Sequence, residues 1–337
     1  MTVGPEDADV TWATAGGGQA LPIIDVTQPR FALADDAASN AALFSAFMDE
    51  QRRLARTPRF LTWMMMALAT RQSLLLHALL HSKAGFLDGL STYIMKLGAE
   101  NLPPPFNGGI DRRVAAAPPV VSMRLRLQQC AELLAEGLKN PLLRAPSAPL
   151  HLINIAGGTA IDSLNALILL RRDASNLLER PIQILVLDID SPAPTFGANA
   201  VAALTRDGRA LAGLDITFRY EPYDWNRAEL LDDLVRQVAT QGGILVASSE
   251  GGLFEYGSDA AIVANLSALR SGAAFVVGSV TRADVLRRKM IASGKFKLVP
   301  RGVEGFAPLA ERAGFALAKV KGTPISDQIL LRPDSPA

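Results

Sequence analysis

The sequence predicts an α/β protein: a doubly wound, mostly parallel seven-stranded sheet with an antiparallel C-terminal edge strand, preceded by an N-terminal helical lid domain. Three observations predict it. Beyond Pro149, short continuous apolar runs alternate with helical stretches, the pattern of parallel strands covered on both faces. The last two runs are joined only by Lys321 to Pro324, too short for a parallel crossover, so that pair is antiparallel. Before Pro149 the periodicity is helical instead.

In chain order, the first 30 residues are rich in turn formers (Gly16-Gly17-Gly18, Pro22, Pro29) and read as a flexible arm, residues 1–35. A helical lid and substrate domain follows over 36–145. Asp36 or Ser39 caps its first helix, and Pro58 starts a second, where a missing N–H costs nothing. The stretch from Phe60 to Leu80, with Met64-Met65-Met66 and Leu74-Leu75-Leu76, is apolar nearly all round. Such a helix is buried on several sides or covers a pocket. Pro103-Pro104-Pro105 breaks the pattern, and a further helix over 122–139 ends at Pro141, Pro146 and Pro149.

The sheet domain, 146–334, takes strands at 150–156, 182–187, 215–220, 244–248, 273–280, 315–320 and 325–331. Helices are expected at 162–171, 196–205, 227–240, 259–269, 282–292 and 303–312.

Composition narrows the function. Of 337 residues, 49% are hydrophobic and 20% charged, enough apolar surface for a large core. Lys plus Arg (34) balance Asp plus Glu (33) to a net charge of +1, which provides no bulk field for a polyanion and argues against nucleic acid. Cys130 alone cannot build a disulfide framework or a multi-cysteine metal site, which points to the cytoplasm. Mean hydropathy is +0.19, but Arg71 and Gln72 interrupt the longest apolar stretch, so no membrane span is expected. His77 and His81 lie one helical turn apart without a third ligand, and no metal site is expected.

Chemistry belongs beyond the carboxyl ends of the strands, where strand order reverses. The first strand ends Asn154-Ile155-Ala156-Gly157-Gly158-Thr159-Ala160. Its small residues allow close backbone approach to a ligand, although the dinucleotide fingerprint fails at Ala156 and Ile161; a tight strand–helix turn explains the loop equally well. The second strand ends in Asp188-Ile189-Asp190, an acid suited to both hydroxyls of a ribose. Pro222-Tyr223-Asp224-Trp225 places an acid beside an aromatic ring, either for a purine or as an N-cap with a half-buried Trp. After the fourth strand, Ser248-Ser249-Glu250-Gly251-Gly252-Leu253-Phe254-Glu255-Tyr256 offers Glu250 and Glu255 as candidate bases. Tyr256 and Phe254 there could make cation–π contacts.

Together these strand ends resemble class I S-adenosylmethionine-dependent methyltransferases over residues 150–332, including Glu311-Arg312-Ala313-Gly314-Phe315 before the antiparallel pair. The resemblance implies that Gly157, Gly158 and Thr159 contact the methionine part of S-adenosylmethionine. It assigns the ribose to Asp188 and the adenine to Asp224 with Trp225. Asn154, Ala156, Ile189, Ser248 and Ser249 complete the expected contacts, with Glu250, Glu255 and Tyr256 as catalytic candidates. Two features depart from the family: Asn154 replaces the usual acid, and Ala156 and Ala160 replace the outer glycines. The implied activity is methylation of a small molecule in bacterial secondary metabolism. The alternative is a cyclase of the same family that forms azetidine-2-carboxylate and methylthioadenosine. The N-terminal helices would supply a lid, with Arg71, Tyr93, Arg112 or Arg113 reaching a carboxylate, or a homodimer contact.

Overall fold

The computed structural model describes residues 10–80, 88–284 and 297–334. Its first elements are a short antiparallel hairpin, β1 (Trp12–Thr14) and β2 (Ala20–Pro22), then helices α1 (Ala37–Arg56), α2 (Arg59–Thr70), α3 (Leu74–Leu80), α4 (Gly89–Lys96), α5 (Gly109–Ala115) and α6 (Pro118–Arg144). The alternating half follows: β3 (Leu150–Ile155), α7 (Ile161–Ala174), β4 (Ile182–Asp188), α8 (Pro192–Leu204), β5 (Ile216–Pro222), α9 (Glu229–Thr240) and β6 (Ile244–Ser249). Then come the single turn α10 (Leu253–Tyr256), α11 (Asp259–Arg270), β7 (Ala273–Thr281), α12 (Gly302–Arg312), β8 (Phe315–Gly322) and β9 (Ser326–Pro333).

Strand order is β5-β4-β3-β6-β7-β9-β8, parallel from β5 to β7, with β9 antiparallel to both β7 and β8. This is the expected mixed sheet with antiparallel pairing at one edge, except that the C-terminal strand β9 lies one place inside the edge, which β8 forms. The chain winds outward from β3 through β4 to β5, then returns to place β6 on the other side of β3. The switch point therefore lies between β3 and β6, and their carboxyl ends open the crevice where an α/β sheet binds ligands. Two apolar layers cover the sheet. Leu152, Ile184, Val246, Phe275 and Leu330 face α6 and α7, while Ile153, Leu185, Leu245 and Val276 face α9 and α11.

Three expectations are corrected. From Val10 onward the flexible arm is an ordered strap. Leu21, Ile23, Ile24 and Phe31 are buried in the main core, and the strap's backbone is tied down by side chains from distant helices. Tyr93 Oη donates to Pro22 O (2.6 Å) and accepts from Ile24 N (3.0 Å). Asn165 accepts from Val26 N and donates to Ile24 O, and Asn199 donates to Thr14 O. An irregular segment can be buried only if its peptide groups are satisfied in this way.

The second correction concerns α6, which runs past Pro141 to Arg144. Proline there removes one hydrogen bond in the last turns, and Arg180 satisfies the helix end by donating to the carbonyls of Leu142, Ala145 and Ala148. The helix lies on the sheet, not in a lid, with Gly137 pressed against Phe275 and Leu330. A boundary at 145/146 thus cuts between a sheet-covering helix and its sheet.

Third, the apolar stretch after Pro58 is two helices, because Asp111 accepts from Ser73 Oγ and Leu75 N to start α3 afresh. Within the single chain α2 is not buried. Phe60 is 68% exposed, and Leu61, Met64, Met65 and Leu68 also face solvent. Most of the helix expected over 282–292 lies outside the described residues, and Arg282–Asp284 is not helical. No helix of the described residues is long and apolar enough to cross a membrane.

Removing the Tyr93 hydroxyl leaves two buried backbone groups of the strap unpaired. We expect Tyr93→Phe to cost about 1–3 kcal/mol, measured as a lower urea midpoint with an unchanged slope.

Candidate active site

The loop from β3 to α7 is shaped by alternate left-handed residues: Ala156 (φ 51°), Gly158 (φ 53°) and Ala160 (φ 52°). Two of the three are alanines, each held in a conformation that costs an L-residue about 1–2 kcal/mol. The loop is tight. A Cβ on Gly157 would lie 2.5 Å from Asn154 Cβ, and one on Gly252 would lie 2.6 Å from Ala156 Cβ. Thr159 is buried. At the end of β4, Asp188 Oδ2 accepts from Gly158 N (3.0 Å) and Oδ1 from Asp190 N (3.2 Å). Burial pushes its carboxyl above the ordinary value, against the pull of these amides. Ile189, immediately after it, is 82% exposed.

Beneath the loop lies a network that sequence reasoning missed in part. Asn154, fully buried, donates through Nδ2 to Asp162 Oδ1 (2.8 Å) and Ser248 Oγ (2.8 Å), and accepts from Ser163 Oγ (3.0 Å). Ser248 in turn donates to Asp162 Oδ2 (2.6 Å). Asp162 sits in the first turn of α7. Burial raises its carboxyl to about 6, with Ser248 pulling down, nearby Glu250 pushing up and Lys96 pulling down. Its position just after the small-residue loop was the available signal.

Glu250 is also buried, its side chain 6% exposed, between two cations. Oε2 pairs with Lys96 Nζ of α4, and Oε1 with Arg126 Nε of α6 at 2.5 Å. Arg126 Nη1 continues to both oxygens of Glu255 at 3.1 Å. Burial alone would raise the Glu250 carboxyl, but Lys96 and Arg126 outweigh it and hold the group below its usual range. A carboxylate so held is a poor proton acceptor. Glu255 has its oxygens on Arg126, and Lys96 and Arg126 are charged residues the sequence did not single out. Gly251 (φ 78°) lets the Arg126 guanidinium pass, since a Cβ there would meet it at 2.5 Å. Ser249 Oγ donates to Ile155 O and accepts from Leu253 N, locking the ends of β3 and β6 together.

The remaining candidates separate. Phe254 is in the core against Phe306, ring centroids 4.8 Å apart, and cannot line a site. Tyr256 is half-buried at the end of α10. Asp224 is exposed and closes a turn by accepting from Asn226 N and Nδ2, while the half-buried Trp225 accepts at its carbonyl from Asn265. Among the lid residues, Tyr93 serves the strap, Arg71 and Arg113 are exposed, and Arg112 bonds Asn107 O and Glu100. Helix α4 lies directly on the loop: a Cβ on Gly89 would be 3.2 Å from Gly158 Cα. His77 is exposed on α3, and His81 lies outside the described residues. Among the described residues no three His, Cys, Asp or Glu are grouped to hold a metal.

Breaking one member of a buried ion pair strands its partners. Glu250→Gln should therefore cost about 3–5 kcal/mol, read by denaturant unfolding, and the double variant Lys96→Met/Glu250→Gln should cost less than the sum of its singles. Additive losses would show that the pair is not coupled.

No family model matches the chain, and no curated protein matches it. Among solved structures, it is similar to magnesium protoporphyrin IX methyltransferase from Synechocystis PCC 6803 with bound SAH, at 16% identity and TM-score 0.42, covering 64% of this chain and 87% of that one. It is also similar to the pyocyanin biosynthetic protein PhzM, at 14% identity and TM-score 0.40, covering 89% and 74%. A third is N,N-8-amino-8-demethyl-D-riboflavin dimethyltransferase from Streptomyces davawensis, at 13% identity and TM-score 0.37, covering 73% and 66%.

Proposed function

We propose that this chain is an S-adenosylmethionine-dependent methyltransferase acting on a small molecule. One observation carries the reading. At the switch point, the Gly158 amide and the Asp188 carboxylate meet beside an exposed Ile189. The Asp188 oxygens accept the Gly158 and Asp190 amides, with the Ile189 amide also on the carboxylate, and the acceptor capacity that remains suits a ribose hydroxyl. Ile189 offers an apolar surface for adenine, and Gly157 with Gly158 leaves room for the methionine part. The residues present therefore fit the cofactor, which supplies an activated carbon on a sulfonium. Asp224 keeps its second oxygen for the adenine amine, with Trp225 beside it. Asn154, Ala156, Thr159, Ser248 and Ser249 shape the crevice floor. Since the electrophile arrives activated, the protein contributes position and water exclusion. Helix α4 on the loop and the Lys96–Glu250–Arg126–Glu255 chain serve those ends, so we assign Glu250 and Glu255 to positioning and leave Tyr256, half-buried at the end of α10, as the remaining catalytic candidate.

A second reading shares the site. Helix α4 is packed on the loop at Gly89 and latched by Lys96, and both carboxylates offered as bases for an outside nucleophile hold cations. This favours an intramolecular displacement. The methionine amine forms a bond to its own γ-carbon as the carbon–sulfur bond breaks, giving azetidine-2-carboxylate, methylthioadenosine and a proton to solvent. Incubation with S-adenosylmethionine alone, followed by mass spectrometry, separates the two. Methylthioadenosine with a cyclic amino acid supports cyclisation; turnover only after a small acceptor is added supports methyl transfer. In either case Asp188→Ala should weaken cofactor binding at least about tenfold by calorimetry, and unchanged affinity would remove the ribose from this position.

The exposed apolar face of α2 supports a homodimer through the N-terminal helices, since a patch of this kind marks an interaction site. Light scattering should give twice the chain mass, and Met65→Glu should return it to the monomer.

A further inference from the structure

Among the described residues, the buried charges beneath the loop do not balance. Lys96 and Arg126 are two cations; Glu250, Glu255 and Asp162 are three carboxylates. Lys96 and Arg126 are bonded to Glu250 and Glu255, whereas the donors bonded to the Asp162 carboxylate are neutral, Asn154 Nδ2, Ser248 Oγ and the Ser163 backbone, and Lys96 acts on it only through space. Those two donors sit at the carboxyl ends of β3 and β6, the strands that flank the switch point. Asn154 on β3 and Ser248 on β6 each hold one oxygen of this carboxylate.

We propose that Asp162 is a positioning residue that, through Asn154 and Ser248, makes the crevice select a positively charged ligand, the sulfonium form of the cofactor over its neutral thioether. The proposal rests on the S-adenosylmethionine reading above. An uncompensated carboxylate in a dry site is costly, and a cation brought alongside removes much of that cost. S-adenosylmethionine carries one more positive charge than S-adenosylhomocysteine, so only the former benefits fully. The same charge difference would help expel product after either reaction.

The titration of Asp162 gives the proposal a signature. The charged and titratable groups around it are Lys96 from α4, Arg126 and Cys130 from α6, and Glu250 with Glu255 after β6. Burial pushes the Cys130 thiol well above its ordinary value, so it stays uncharged. Glu250, held low by its two cations, stays ionised. That leaves Asp162, raised to about 6, as the group that changes charge near neutrality. A cationic ligand binds the ionised form better, so its affinity rises with pH through that value and levels off above it, whereas a neutral ligand shows less of this rise.

The test is calorimetric titration of the full chain with S-adenosylmethionine and with S-adenosylhomocysteine between about pH 5 and pH 8. The parent should prefer the sulfonium by about tenfold at the upper end and lose that preference towards the lower end. Asp162→Asn should bind both ligands alike at every pH, and the exchange Asn154→Asp/Asp162→Asn should restore the preference. Thermal melting confirms that each variant is folded. If Asp162→Asn does not fold, the parent's pH profile still decides. A parent that binds both ligands with a pH-independent ratio overturns the proposal and leaves the cofactor reading intact. A parent that binds neither overturns both.

Discussion

Burial of the Glu250 carboxylate constrains everything around it. An ionised carboxylate withdrawn from water is tolerated only with close counter-charges and well-directed hydrogen bonds. Here the counter-charges come from α4 and from α6, neither of which is a neighbour in sequence. Once Lys96 and Arg126 have converged on Glu250, the end of α4 is fixed over the end of β6, and α6 is fixed along the sheet. Arg126 also reaches Glu255 and so sets the turn that follows β6. The N-terminal half of the chain is thereby attached to the switch point by charge. The strap is attached by hydrogen bonds from Tyr93 and Asn165.

This attachment explains the cost accepted in the loop after β3. With α4 lying against Gly158 and Gly252 pressed on Ala156, the backbone from 156 to 160 has no room to relax its left-handed residues. Strain persists in a folded protein where the surroundings over-determine it, and here they do so from three sides: α4 above, the turn after β6 beside, and the Asn154–Asp162–Ser248 network below. Small side chains at 156 and 160 are then a spatial requirement as much as a conformational one, which is why alanine serves where glycine would be easier.

The sheet was legible because its strands are continuous apolar runs bounded by Pro, Gly and Asp, and each begins or ends within two residues of expectation. The place of Asp188 at the end of β4, where such sheets bind ligands, was legible, but its contact with the Gly158 amide was not. What was not legible depended on partners far away in the chain. Gly16-Gly17-Gly18 and two prolines have the composition of a free arm, and only the groove between α4, α7 and α8 converts Leu21, Ile23 and Ile24 into core. Glu250 has the look of a base until Lys96, 154 residues earlier, and Arg126, 124 residues earlier, are seen to hold it. Pro141 has the look of a helix stop until Arg180 supplies the donors that let α6 continue for another turn.

The division of apolar and polar surface follows from the same geometry. On the α6 side of the sheet, side chains along β6, β7 and β9 pass from Val246, Phe275 and Leu330 in the core to Ser248, Ser279 and Gln328 near the crevice, all of them buried. A buried polar floor is expensive unless its groups are satisfied by each other or by a ligand. The ion chain and the Asn154 network satisfy most of it internally, leaving one carboxylate, Asp162, whose bonded partners among the described residues are all neutral. Meanwhile the apolar surplus that a closed lid would have buried lies on the outer face of α2. Among the described helices, α2 therefore leaves its apolar face to solvent in the single chain, whereas α4 lies on the loop.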